Sequence, residues 1–180
     1  MKEDEVDVLR AAIVFTSSGL DASMTRLVKD AGRYLIPIEG TAARAQYEAF
    51  IKAELRGDSV DVELQKAIVN ADPAEAILKH YLSVRTKASF QGSGDLKRRV
   101  RNVLGIPSAK VSDAKLESLD KFFIARNSIS HSMDYDDLDA VDSRRRIHRG
   151  PEEVVGFCNN AFDLAVDFIH AAGDLIKAHR

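Results

Sequence analysis

The stretch "DEVDVLRAAIVFTSSGLDASMTRLVKDAGRYL", residues 4–35, decides the fold class of this chain. Val6, Ile13, Leu20, Leu27 and Tyr34 stand seven apart in it, with the small residues Ala12, Ser17, Gly19 and Ala31 beside them. An apolar residue that returns every two turns marks one face of a long helix, and small neighbours let a second helix come close. The spacing therefore predicts a helix over 4–35, ended by Pro37.

The same period continues downstream, and the alternating β-branched runs that would argue for strands are missing. "TAARAQYEAFIKAEL", residues 41–55, reads as a second helix with Tyr47, Phe50, Ile51 and Leu55 inward and Gly57 as its stop. A short helix follows near 60–70. In "ADPAEAILKHYLSV", residues 71–84, Asp72 is placed to cap, Pro73 takes the first helical position and Glu75 completes a capping-box-like arrangement. "SFQGSGD" breaks the chain, "LKRRVRNVLG" makes a short basic helix stopped by Gly105, and "IPSAKVSD" links onward. Residues 113–130 form another helix, with Leu116, Leu119, Phe122, Phe123 and Ile129 as its apolar contacts. After a polar stretch at 132–150, a closing helix runs from Pro151 to about 178 through Val154, Phe157, Ala161, Leu164, Phe168, Ala172 and Leu175. The expectation is one all-α domain over 1–180 with long first and last helices.

The bulk numbers agree with a globular chain: 180 residues, 45% hydrophobic and 30% charged, enough to bury one core. No window reaches the roughly 18 continuous apolar residues of a membrane span, and "MKEDEVDVLRAA" is too acidic for a secretory or mitochondrial leader. A cytoplasmic protein without membrane attachment is expected. The single cysteine, Cys158 in "VVGFCNNAF", reads as a small core residue rather than a reactive thiol. A net charge of -2 gives no global pull toward nucleic acid, so a basic surface must come from local segregation.

Chemistry concentrates in "RNSISHSMDYDD", residues 126–137. Arg126 and His131 are five residues apart, which puts them roughly 140° apart around a continuous helix. Asn127 and His131, four apart, share a face, so the asparagine amide is placed to orient the imidazole. For Arg126 and His131 to act on one phosphate, either the helix breaks near 128–130 or two copies of the chain meet across a twofold axis. The bland reading is a helix C-terminus with a cation near the dipole.

Two basic clusters bear on the choice. The first holds Arg85, Lys87, Lys97, Arg98, Arg99 and Arg101, and either follows a phosphate backbone or forms a solvated helix face. The second, Arg144, Arg145, Arg146, His148 and Arg149, comes directly after Asp134, Asp136, Asp137, Asp139 and Asp142. Those aspartates lack the glycine and terminal glutamate of a calcium loop, so pairing with the arginines or a dimer contact is expected rather than a metal. Tyr135 either stacks on a base or packs, and His80 and His170 read as ordinary helix residues. No cofactor and no metal site is called for.

"RNSISH" on an amphipathic helix late in an all-helical chain resembles the HEPN superfamily, whose members carry an R-x4-6-H motif, often with a polar residue after the arginine. The layout is similar too, with a long first helix and a closing helix after the motif. The resemblance implies a HEPN-like helical bundle, a homodimer with paired motifs in a cleft, and in many members metal-independent RNA cleavage of the toxin or antiphage-defence type. It implies Arg126 and His131 as the catalytic pair, Asn127 as the supporting polar residue and Asp21, in "FTSSGLDASM", as a further candidate. Such chemistry suits these side chains, because metal-free cleavage needs proton transfer at the 2'-OH and a cation for the phosphorane. Arg98, Arg101 and Arg145 are then expected to help hold RNA, and Tyr135 to support the site. The alternative is a non-catalytic HEPN-type module that binds RNA or nucleotides, or docks to a partner such as an antitoxin or regulatory protein. An unrelated helical scaffold is the third reading.

Overall fold

The structure, a computed structural model, describes residues 3–136 and 145–179, and these are helical with no strands. In order they form α1 (Glu3–Leu35), α2 (Ala42–Arg56), α3 (Val62–Ile68), α4 (Pro73–Thr86), α5 (Ser93–Leu96), a π-helical turn (Lys97–Arg101), α6 (Asp113–Glu117), α7 (Asp120–Ser132) and α8 (Pro151–Ala178). None of these helices is long and apolar enough to cross a membrane.

Local chemistry accounts for the boundaries. Thr41 accepts from the Arg44 N–H and starts α2, Asp72 accepts from the Glu75 N–H ahead of Pro73, and Asp61 and Ser112 cap α3 and α6 in the same way. Gly105 sits at φ +66°, a left-handed turn whose α-carbon faces Ala42 and Ala43. A Cβ there would come within 2.7 Å of Ala42 Cβ and 2.8 Å of the Ala43 nitrogen, so glycine is required on both counts.

The long helices α1 and α8 form the spine. They run parallel: the Thr16 hydroxyl, midway along α1, donates to Cys158 Sγ in the first turns of α8 at 3.2 Å, and Leu35 and Leu175 line one small cavity at their C-terminal ends. Helix α7 packs on the inner side of this pair, with Phe122 against Phe157, and α4 lies against α1 where Leu82 fills the space over Gly32. Ile13, Met24, Phe122, Leu164 and Phe168 are fully buried at the centre. Ion pairs from Lys110 to Asp174 and Lys115 to Asp167 tie the linker and α6 to α8.

Three details depart from the sequence expectation. The buried face of α1 begins with Val6, Ile13 and Leu20 but continues through Met24, Val28, Ala31 and Leu35, leaving Leu27 half-buried and Tyr34 at 39% exposure. A straight helix drifts about 20° per seven residues, so four heptads carry the original stripe off the core. Leu55, expected inward, is 52% exposed because α2 ends at the molecular edge. The helix expected over 113–130 is two helices, since Ser118 donates to the Lys115 carbonyl and the Leu119 N–H bonds three residues back, which tightens and turns the chain while keeping Leu119 buried.

Candidate functional site at the end of α7

Helix α7 runs unbroken through the motif to Ser132, and Met133 and Asp134 then adopt left-handed angles, φ +52° and +63°. Ala125, Ile129 and Ser132 turn inward over its last two turns. Arg126 and His131 therefore flank the solvent side, with Asn127 and Ser130 between them. The two backbone positions stay about 140° apart, but the side chains narrow that gap. Arg126 Nη1 donates to Asn127 Oδ1 at 2.8 Å, which lays the guanidinium on the residue that shares a face with His131. The expected hold of Asn127 on the imidazole is not formed: its carbonyl oxygen serves Arg126, and among the described residues no hydrogen bond reaches the exposed His131. Arginine and histidine on the solvent side of one helix end are residue types suited to phosphoryl chemistry, the guanidinium for binding phosphate oxygens and the imidazole for proton transfer.

What fixes this helix end is a buried ion cluster on Asp134. The carboxylate is wholly buried and receives Arg149 through both oxygens, Nε at 2.9 Å and Nη2 at 2.8 Å, together with Arg10 Nε at 3.3 Å and the Ser128 hydroxyl at 2.9 Å. Burial, the largest influence, pushes the Asp134 pKa up, yet the hydrogen bonds from Arg149, Ser128 and Arg10 outweigh it and hold the carboxyl below its usual value. Arg10 also binds Asp7 and the Ile147 carbonyl, and Arg149 reaches Glu153. One carboxylate thereby joins α1, the end of α7, the 145–150 segment and the start of α8. A bidentate arginine supplies direction as well as charge, so the register of these four pieces is set together.

Sequence reasoning left Asp134 as one of an acidic run and did not single out Arg10. A signal was present: Arg10 falls between Val6 and Ile13 on the buried face of α1, where a charge requires a partner. Pairing of the acidic run with the arginines is seen at Asp134 with Arg149; Asp137, Asp139, Asp142 and Arg144 lie outside the described residues. Among the described residues no three His, Cys, Asp or Glu side chains gather as a metal site.

Other singled-out residues are placed as follows. Tyr135 is half-buried, paired with Arg146 in an isolated antiparallel bridge, with the Arg146 guanidinium 6.0 Å from its ring. Asp21 accepts the Phe90 N–H at 2.6 Å, so it holds the glycine-rich break against α1 rather than standing at the end of α7. Arg98 is exposed beside Asp95, and Arg145 is exposed. Arg101 is a correction: it is buried, donating to the Val111 carbonyl at 2.9 Å and to Asp113 at 2.5 Å, because the π-helical turn rotates it inward, and it is not part of a phosphate-tracking surface. The rest of that basic cluster is largely spent on structure as well. Arg99 binds the carbonyls of Arg85, Ala88 and Ser89 and lies over Phe90, Arg85 lies over Phe50 and Tyr81, and Lys97 pairs with Asp113.

Compared with known proteins, the chain matches no family model, no curated protein and no solved structure.

Proposed function

We propose that this chain is a HEPN-type endoribonuclease that cleaves RNA without a metal ion, in a toxin or antiphage-defence role, as a homodimer whose paired α7 ends complete each site. The observation that carries the reading is the Arg126 guanidinium lying on Asn127, on the same face as an exposed His131 one turn further on. In the reaction His131 takes the proton from the 2'-OH as that oxygen attacks phosphorus, Arg126 stabilises the charge on the phosphorane, and the proton goes to the departing 5'-oxygen. The products are a 2',3'-cyclic phosphate and a 5'-hydroxyl. Asn127 orients Arg126, and the exposed Arg98 and Arg145 help hold the polyanion.

The test is cleavage of a mixed RNA pool in excess EDTA by wild type, Arg126→Ala and His131→Ala. Wild type is expected to leave cyclic phosphate ends, with each variant slowed by about 100-fold or more. Equal cleavage by all three refutes the assignment. Mixing the two variants tests the composite site: partial recovery requires Arg126 and His131 from different copies, and no recovery means that a site uses both from one chain.

A second reading, a docking module that binds RNA or a partner such as an antitoxin without cutting, is favoured by the exposed apolar side chains along α1 and α8. RNA bound by wild type but left intact in that assay selects it.

A further inference from the structure

Helices α3 and α4 face each other across a cleft of about 490 Å³. Its walls are two stripes at helical spacing, Glu63, Lys66 and Ala67 on one side and Ala76, His80, Ser83 and Lys87 on the other. Ala67 and Ala76 contribute only methyl groups, which is why the two helices enclose a space there rather than a packed seam.

His80 lines this cleft with its side chain only 10% exposed. Its Nε2 stands 3.9 Å from Asp61 Oδ1, beyond hydrogen-bond reach, and that oxygen already accepts the Glu63 and Leu64 N–H groups. The Phe50 ring backs the imidazole from α2, with centroids 6.4 Å apart. Among the described residues no hydrogen bond reaches either ring nitrogen. A polar side chain nine-tenths buried without such a partner is costly, and a ligand in the cleft removes that cost.

The rest of the lining says what kind of ligand. Lys79 and Lys87 are exposed at the rim, and among the described residues no carboxylate pairs with either. The Ser83 hydroxyl is unspent, and Asn70 uses only its oxygen, which accepts the Asp72 N–H. On the acidic side Glu63 pairs with Lys66 at 2.7 Å, and Asp61 keeps one oxygen beyond its cap. Unspent donors with two positive charges call for an acceptor-rich anion, and the remaining Asp61 oxygen suits a hydroxyl. Lys79 and Lys87 are roughly 12 Å apart along α4, a span that two extended side chains of about 6 Å each close over Ser83. The volume falls within the range of small-ligand sites. We infer that the α3–α4 cleft binds a small phosphate monoester bearing hydroxyl groups, a sugar phosphate or a mononucleotide. Lys79, Lys87 and His80 hold the phosphate, and Asp61 accepts from a hydroxyl.

The cleft is remote from the end of α7. Leu82 of α4 lies on Gly32 of α1, whereas Asp134 is bound by Arg10, roughly 33 Å nearer the start of α1. Ligand binding here is therefore independent of the RNA-cleavage reading.

Isothermal titration calorimetry at low salt tests the inference with ribose 5-phosphate, uridine 5'-monophosphate and inorganic phosphate. The proteins are wild type, His80→Leu, the double variant Lys79→Gln/Lys87→Gln and a control with the same charge loss elsewhere, Lys29→Gln/Lys121→Gln, with far-UV circular dichroism reporting the fold of each. Wild type is expected to bind at least one ester with a Kd below ~1 mM. The double lysine variant is expected to raise that Kd at least ~tenfold and His80→Leu at least ~threefold, while the control stays within about twofold of wild type. Tighter binding of uridine 5'-monophosphate identifies a nucleotide as the ligand, and equal binding identifies the sugar phosphate that both esters share. Absence of binding at about 10 mM of either ester, well above the range of specific small-ligand sites, overturns the inference. So does an affinity unmoved by the double lysine variant or by His80→Leu. Inorganic phosphate bound as tightly as either ester overturns the hydroxyl-bearing class.

Discussion

Replacing Asp134 by Asn removes one charge from the centre of the Arg10–Arg149 cluster while keeping size, shape and tolerance of left-handed backbone angles, φ +63° here. The cost follows from what is stranded. Arg149 loses a bidentate partner in a site where its side chain is 9% exposed, and Arg10 loses one of its acceptors at 5% exposure. Breaking a buried pair from one side costs about 3–5 kcal/mol. The lower end applies, because Arg10 keeps Asp7 and the Ile147 carbonyl, Arg149 keeps Glu153 at 3.4 Å, and the asparagine carbonyl still accepts one bond. A loss of about 3 kcal/mol corresponds to a melting temperature lower by ~10 °C in a chain of this size. The sign with pH is fixed as well. The native pKa of Asp134 is depressed, so its contribution is present above the unfolded carboxyl pKa of about 4 and is lost as pH falls through the native value. Urea unfolding at pH 7, 5, 4 and 3 measures both effects. The gap between wild type and Asp134→Asn is expected to hold at pH 7 and 5 and to shrink toward pH 3. A gap under 1 kcal/mol at pH 7, or one that stays constant with acidification, refutes the reading of Asp134 as an ionised clamp.

Gly105→Ala combines a left-handed φ of +66° with a Cβ 2.8 Å from the Ala43 nitrogen, and is expected to lower stability by at least 2 kcal/mol in chemical denaturation; wild-type stability would show that the α2 contact is looser than described. Asp21→Ala removes the acceptor of the Phe90 N–H and is expected to cost about 1–2 kcal/mol while leaving RNA cleavage per folded molecule unchanged. Loss of cleavage at full stability would instead make Asp21 part of the reaction.

Much of the helical plan was legible because its signals are local. Thr41, Asp72 with Pro73, and Gly105 each act within about four residues, through a side chain accepting a nearby N–H or a backbone angle only glycine adopts cheaply. The motif "RNSISH" was legible as a helix-borne set, and the 140° separation followed from helix geometry alone. What the guanidinium of Arg126 does with that separation was not, since rotamers and the choice of Asn127 as partner depend on the surroundings.

By itself, then, the order of residues determined where the capped helices α2 and α4 begin and which residues ride on α7 toward solvent, but not the break between α6 and α7. Only the tertiary structure decided which charges are structural. Arg98 and Arg101 are three apart in one basic run, yet one is exposed and the other buried on Asp113, because a π-helical turn sets the second inward. Asp134 is one aspartate in an acidic stretch, and it becomes the clamp because Arg10, 124 residues away, and Arg149 converge on it. A cap answers to its own turn of helix, whereas a buried ion pair answers to which faces of distant helices meet, and the packing of α1, α7 and α8 sets those faces.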